Sequence, residues 1–473
     1  MAGILRGMQR RRLALDDSRP IWRSMLVFLV PLMVSNVLQS ASATLSSIYL
    51  GRMIGVRALA AASTFFPISF FMISFFIGIA SASSVLIGQA YGAHDEDRLK
   101  SVAGNTITLS IGLGVVTGGL GFLLCPQLLR LIGTPPDVFA GALVYARIVF
   151  ASLPLLFVYL SYTTFVRGTG DTRTPLFALI LSTAVNMVVT PALIAGWLGL
   201  PKLGVASASA SAIVASAAAI AYVLVSLALE KNPLAFDLRL LRHMKLQPRL
   251  IVTMVKIGIP TGIQMVLVSL AEVAVIALVN RFGSSATAAY GAVNQIVSYV
   301  QFPAISIGIT SSIFGAQSIG AQRFDRLRRI AKAGVGLNWA IGAVLITVVY
   351  VFDHALLSLF VTDRHVIETA HQLLEITLWS YVLFGTSSVL SGLMRSSGTV
   401  LWPTALSIVS IWGVEVPVAY ALAPHLGLPG VWVAYPVAFF AGLCFQFTYY
   451  FFVWRRKRLT TLLDDRTHAP AAT

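Results

Sequence analysis

Charge is scarce in this 473-residue chain, and negative charge most of all: Asp and Glu number 18 against 34 Lys and Arg, and the four types together make up 11% of the residues. A soluble domain carries about 25% charged residues, so a soluble globular protein is excluded. Cysteine is nearly absent. Cys125 and Cys444 stand far apart in sequence, which leaves no disulfide framework and no metal-binding cysteine spacing. The seven histidines fall in loops, tails or span ends, with no HExxH and no Ser-His-Asp grouping, and no Walker A glycine loop occurs anywhere. Those absences argue against a zinc hydrolase, a serine hydrolase and an ATP-driven pump. No cofactor and no resident metal are expected.

What the chain has instead is apolar length. Hydrophobic residues make up 57% and the mean hydropathy is +0.83. Runs of ~20 apolar residues read as helices that cross ~30 Å of hydrocarbon, and helices satisfy their own backbone groups where lipid cannot. Outer-membrane strands would instead appear as short alternating segments. Twelve spans are expected, at 22–49, 59–87, 102–124, 139–165, 175–197, 204–229, 251–280, 287–315, 330–352, 366–394, 401–423 and 430–454. The first twenty residues, MAGILRGMQRRRLALDDSRP, are basic and polar without an apolar core, so no cleavable signal peptide is expected.

The net charge of +16 is explained by topology rather than by nucleic acid. With twelve spans, 26 of the 34 Lys and Arg fall on the side of the two termini and six on the other; Arg147 and Lys256 lie within spans. The positive-inside rule then puts both termini in the cytoplasm, where basic loops face anionic lipid.

The chain also says several things twice. GQAYGAHDEDRL at 88–99 returns as AQSIGAQRFDRL at 316–327, and FVRGTGDTRTP at 165–175 as LMRSSGTVLWP at 393–403, both 228 residues later; Pro31 in the first span matches Pro260 in the seventh. Two six-span halves follow: 22–229 as an N-lobe and 251–454 as a C-lobe. Around them lie a basic arm (1–21), a cytoplasmic linker (230–250) and a basic tail (455–473). Six is even, so the second half starts on the same side as the first, and the repeat is related by a pseudo-twofold along the membrane normal. Transporters that hold substrate between two lobes are built this way. The repeated loops are expected to serve in helix capping and loop packing.

At these segments, together with VNRFGSSATAAYGAVNQI at 279–296, the chain resembles the multidrug and toxic compound extrusion (MATE) family over about residues 20–454. The resemblance implies a V-shaped pair of six-helix lobes in the inner (plasma) membrane. It also implies an antiporter that exports cationic or amphipathic organic compounds while H⁺ or Na⁺ enters, with one chain sufficient for function. The family often carries a carboxylate late in the first span; here Ser46 takes that position. The fifth span often ends in Asn, three residues, Asp-Pro; here NMVVTP keeps Asn186 and Pro191 and puts Thr190 in place of the acid. A branch with acids on the seventh and tenth spans has Phe384 at the tenth-span position in this chain. Asn186, Thr190 and Ser46 remain as neutral ligands, and none of them can carry a proton.

Two acids do lie in hydrocarbon: Glu272 in VSLAEVAVIAL of the seventh span and Glu415 in SIWGVEVPVAY of the eleventh. An ionisable group at membrane depth costs about 2.5–3.5 kcal/mol on insertion scales, so Val or Leu would be cheaper where the charge has no use. A carboxyl group that exchanges a proton for a cationic substrate is what antiport requires. Glu272 is therefore expected to be the coupling carboxylate and Glu415 its partner. Glu272 falls four residues, about one helical turn, beyond the acid position of the seventh-span branch. Gln264 and Asn294 are further polar ligand candidates at membrane depth, although such residues more often hydrogen-bond between helices. Tyr49, Phe66, Tyr162 and Tyr290 are aromatic groups able to stack on an organic cation, with core or lipid packing as the default. Glu375 is expected at the interface. Two alternatives stand beside the antiporter: a lipid-linked sugar flippase of the same fold superfamily, disfavoured because only Arg147 and Lys256 could meet a pyrophosphate within the spans, and a membrane-embedded enzyme, disfavoured by the missing motifs. H⁺ is preferred to Na⁺ because a Na⁺ site needs several oxygen ligands placed together.

Overall fold

The structure is a computed structural model and describes residues 19–199 and 202–463. Most of the basic arm, and the end of the basic tail from 464 on, therefore lie outside the described residues. Among the described residues the regular structure is all helical, with no strand. The first half contains α1 (Ile21–Tyr49), α2 (Val56–Gly92), α3 (Glu96–Leu131), α4 (Pro136–Gly168), α5 (Arg173–Ala195) and α6 (Ala206–Leu229). A short α7 (Leu238–Arg242) lies in the linker. The second half contains α8 (Pro248–Val279), α9 (Ser284–Gly320), α10 (Asp325–Ser358), α11 (Arg364–Thr377), α12 (Tyr381–Arg395), α13 (Leu401–Ser410), α14 (Val416–Leu426) and α15 (Leu428–Thr448). Together these elements supply twelve helices long and apolar enough to cross a membrane.

Most of the helices overrun their apolar runs. The third runs over Glu96–Leu131 where hydropathy marks 102–124, because backbone hydrogen bonding continues past the hydrocarbon wherever a cap is available. Asp95 supplies that cap, its carboxylate accepting from the Arg98 N–H at 2.9 Å. Two spans change helix type part-way. The tenth is α11 and α12 joined by a 3₁₀ turn at Leu378–Ser380, and the eleventh is α13 and α14 joined by a π-helical turn at Ile411–Glu415. Pro417 explains the second change. It has no N–H to return to the Gly413 carbonyl, so the ladder widens there.

Packing divides the chain into two compact units: Met1–Met33, Gly88–His94 and Ile263–Thr473 form one, and Val34–Ile87 with Asp95–Gly262 form the other. The borders within α1 and α8 fall two residues after Pro31 and Pro260. In the first unit the start of α1 buries Met25, Phe28 and Leu32 among Ile313, Phe314 and Leu393, with the Phe28 and Phe314 rings edge to face at 5.6 Å. In the second unit the start of α8 lies against α2. A Cβ on Gly78 would sit 2.2 Å from the Gly258 carbonyl oxygen, and one on Gly262 would sit 2.8 Å from the Phe75 Cα.

The repeated loops show why the sequence repeats itself. His94 and Gln322, 228 positions apart, both take left-handed backbone, with φ of 63° and 59°. Within the first unit a Cβ on Gly92 would stand 2.1 Å from the Gln317 carbonyl oxygen, and a Cβ on Gly320 would stand 2.0 Å from that of Gln89. Each loop thus rests its glycine on the other's Gln backbone. The buried Gln89 side chain ties further chain to this junction: Nε2 donates to the Ser396 carbonyl at 2.8 Å, and Oε1 accepts from the Leu462 N–H at 2.8 Å. Neither glycine can be replaced without moving backbone. Gly320→Ala should destabilise the protein by about 1–3 kcal/mol, the range for overpacking. Gly336→Ala, where a Cβ meets nothing within 4 Å, should leave stability level or raise it. Thermal midpoints of the two variants in detergent check the contrast.

The linker is docked rather than loose. In the second unit Asp237 caps α7, accepting from the Leu240 N–H at 2.7 Å and from Lys100 Nζ of α3 at 2.7 Å. Thr108 Oγ1 donates to the Met244 carbonyl at 2.9 Å, and the Gln247 N–H donates to Asn105 Oδ1 at 2.5 Å. Partial burial works to raise the Asp237 pKa, but the Lys100 ammonium and the Leu240 N–H outweigh it and hold the carboxyl below its ordinary range. A depressed folded-state pKa contributes stability above the unfolded value of about 3.9, and the contribution is lost as pH falls through the folded value. Asp237→Asn should therefore speed amide exchange over 238–247 several-fold at pH 7, and its effect should shrink as pH falls below about 4. Hydrogen–deuterium exchange corrected for intrinsic rates measures both.

Candidate functional site

The two membrane-depth acids lie in the same unit, on elements held together by flanking side chains. Trp412 Nε1 donates to the Leu267 carbonyl at 2.9 Å, and the Tyr420 hydroxyl donates to the Ala274 carbonyl at 3.2 Å. These bonds bracket Glu415 on one helix and Glu272 on the other, and they run in the same direction along both. Glu415 is three residues past the first tether and Glu272 five past it, and they lie five and two residues before the second, so the two differ in level by about two to three residues along the helices. Glu415 is buried, with 6% exposure, and closes the π turn. Glu272 presents an exposed side chain on α8. Glu415 lies within electrostatic range of Glu272. Among the described residues neither has a hydrogen-bond or ion-pair partner.

Around them stands a set of aromatic groups. Tyr290 and Tyr381 lie within electrostatic range of both acids, and Tyr435 of Glu415. The Tyr290 and Tyr435 hydroxyls share a hydrogen bond of 2.9 Å, and Asn294 lies one turn further along α9 on the Tyr290 side. The Tyr290 ring is stacked with Trp432 at 5.9 Å, with an interplanar angle of 8°. Tyr381 meets Phe439 edge to face at 5.0 Å and Phe384 at 6.3 Å. Four helices and the π turn thus bring two carboxyl groups, three phenols, an amide and an indole into one neighbourhood. Such a set can hold a proton or a metal cation on the acids and an organic cation against ring faces.

Of the polar candidates, Asn294 belongs to this neighbourhood through Tyr290. Gln264, about two turns before Glu272 on α8, is half-buried and joins none of the hydrogen bonds described here. The other three candidates meet in the second unit. Asn186 Nδ2 donates to Ser46 Oγ at 3.3 Å, and Thr190 Oγ1 donates to Asn186 Oδ1 at 2.8 Å. Ser211 Oγ reaches Asn186 Oδ1 and Thr190 Oγ1, both at 2.7 Å. This network satisfies itself with neutral groups. Arg147, one of the two span cations, lies over the Phe122 ring at 5.1 Å.

Sequence reasoning misses Ser211, Tyr381, Tyr435 and Trp432. Ser211 sits in the alternating ASASAS run of α6, which reads as generic small-residue packing. Tyr381 stands three residues before Phe384, and Tyr435 immediately before Pro436. Nothing in their local pattern distinguishes them from the other aromatic residues of the chain.

The MatE family model matches the chain twice, at residues 31–192 and 260–421. The two matches are displaced by 229 residues and together cover more than half of the chain. Over 450 residues, 94% of this chain and 97% of the relative, the sequence is 51% identical to the probable multidrug resistance protein YoeA of Bacillus subtilis. It is 22% identical over 427 residues to the multidrug export protein MepA of Staphylococcus aureus, covering 90% of this chain and 92% of that one. Among solved structures, a point mutant of the Vibrio cholerae MATE transporter VcmN superposes with a TM-score of 0.84 at 19% identity, over 92% of this chain and 98% of the other. The chain belongs to the MATE family and is a membrane transporter, not an enzyme.

Proposed function

We propose that this transporter is a cation-coupled antiporter, driven by H⁺ in preference to Na⁺, that exports organic cations or amphipathic compounds across the plasma membrane by alternating access. In this reading it works as a monomer without a cofactor, with both termini cytoplasmic. Glu272 and Glu415 supply the negative charge for which proton and substrate compete, with the partly exposed Tyr435 beside them and the buried Tyr290, Tyr381 and Trp432 packed behind as the wall of the site. The observation that carries the reading is the pairing of the two membrane-depth acids on tethered helices of one unit, with no fixed cation beside either.

Three considerations support it. A carboxyl group removed from water favours its neutral form, so that proton uptake and substrate release become one event. The network of Ser46, Asn186, Thr190 and Ser211 contains no titratable group, which leaves proton exchange to the other unit. The relatives named above are multidrug resistance and export proteins. H⁺ is preferred because Na⁺ is held by several oxygens at once, and among the described residues no phenol or amide oxygen hydrogen-bonds to either carboxyl group.

In proteoliposomes with an imposed pH gradient, ethidium transport should fall more than tenfold in Glu415→Gln and in Glu272→Gln at unchanged protein level, and Glu415→Asp should retain part of it. Wild-type rates in both Gln variants would remove the acids from the mechanism. Replacing all Na⁺ by choline should leave wild-type transport unchanged; loss of transport on that replacement would reverse the choice of ion.

A further inference from the structure

A second cluster of titratable groups lies apart from the transport site, where α10 meets α11. Asp353 and His354 are near the end of α10, and His371 and Glu375 are one turn apart on α11. Asp353 is buried, at 7% exposure. Its Oδ1 faces His354 Nδ1 at 2.8 Å, and its Oδ2 makes a short contact with His371 Nδ1. On the other side of the His371 ring, Nε2 stands 3.4 Å from Glu375 Oε1. The two imidazole rings are 4.9 Å apart, and one ligand atom from each of Asp353, His354 and His371 lies within 4.8 Å of the other two.

The backbone is shaped to make this grouping. Neighbouring residues on a regular helix point about 100° apart and cannot address the same place. The residue before the pair, Phe352, leaves helical geometry with φ −114° and ψ 17°, and the break lets both Asp353 and His354 turn to His371. On the facing helix, Asp363 fixes the start of α11 by accepting from the His365 N–H at 2.8 Å. His371 and Glu375, four apart, then share one face.

We propose that Asp353, His354 and His371 bind one divalent transition-metal ion of the zinc class, joining α10 to α11, with Glu375 facing the far nitrogen of the His371 ring and fixing that ring's orientation. Two imidazoles with carboxylates suit zinc, cobalt or nickel better than magnesium or calcium, which take oxygen ligands. Metal–ligand bonds of about 2.0–2.2 Å place tetrahedral ligands about 3.3–3.6 Å apart, and the ligand atoms of Asp353, His354 and His371 already lie within 4.8 Å of one another. Access is open: the His354 and Glu375 side chains are 61% and 60% exposed. The linear sequence hides the site because its halves lie 17 residues apart on different helices, outside any familiar metal-ligand spacing.

Titrating tag-free, full-length protein in detergent with Co²⁺ alone tests the proposal. The wild type should take up one equivalent with the visible absorbance of four-coordinate cobalt, and Zn²⁺ should displace it. The double variant His354→Gln/His371→Gln should lose that equivalent, while His365→Gln, outside the cluster, should keep it. Glu375→Gln changes an exposed group with no packing role, so it tests the site without threatening the fold; its Co²⁺ affinity should drop about tenfold or more. Absence of a saturable equivalent in the wild type, or its persistence in the double variant or at full affinity in Glu375→Gln, would show that the cluster is a hydrogen-bonded clasp on the helix break and no metal site.

Discussion

A carboxyl group in hydrocarbon is the constraint from which the rest of this protein's chemistry follows. Each such group is costly to insert, and this chain keeps two of them on facing helices with no cation alongside. Partnerless acids cannot be justified as ion pairs, and they add nothing to packing that a Leu would not add better. Their presence makes sense if the partner is mobile and exchangeable. The Trp412 and Tyr420 bonds to α8 carbonyls fix the separation of the two acids without neutralising either, and the π turn ending at Glu415 places that residue where a regular helix would not.

The scaffold around them is built from repetition. Each half of the chain contributes the start of its first helix to the packing of the unit that holds the other half, with the change of unit falling two residues after Pro31 and after Pro260. The loops after α2 and α9 rest glycine on Gln backbone reciprocally. Such contacts tolerate no side chain, which is why both copies of the loop keep Gly at the same place while most other residues differ. The two units nevertheless diverge in chemistry. One holds a closed network of neutral hydroxyls and an amide, and the other holds the acids.

Much of this is legible in the sequence. Twelve spans, the twofold repeat and the isolation of Glu272 and Glu415 follow from hydropathy and from counting acids, because a membrane penalises charge so steeply that exceptions stand out. Asn186, Thr190 and Ser46 are picked out by their places in a family pattern, and the structure joins them in one network. What the sequence hides is the company these residues keep. Ser211, Tyr435 and Trp432 look like ordinary apolar or small-residue packing, and only helix-to-helix contact selects them from many similar residues. The grouping of Asp353 with His371 depends on a helix break at Phe352 that no proline or glycine announces. Helix ends are also misread from hydropathy, since apolar length measures the hydrocarbon, whereas capping groups such as Asp95 determine where the helix begins.

The central claim is that proton and organic cation compete for one pair of acids. The most direct measurement is proton release on binding, without any membrane or gradient: tetraphenylphosphonium added to weakly buffered, detergent-solubilised protein, with the pH change recorded. The account predicts stoichiometric proton release from the wild type and none from the Glu272→Gln/Glu415→Gln variant. Undiminished release from that variant, or tight binding by the wild type with no proton released at any pH, would contradict it.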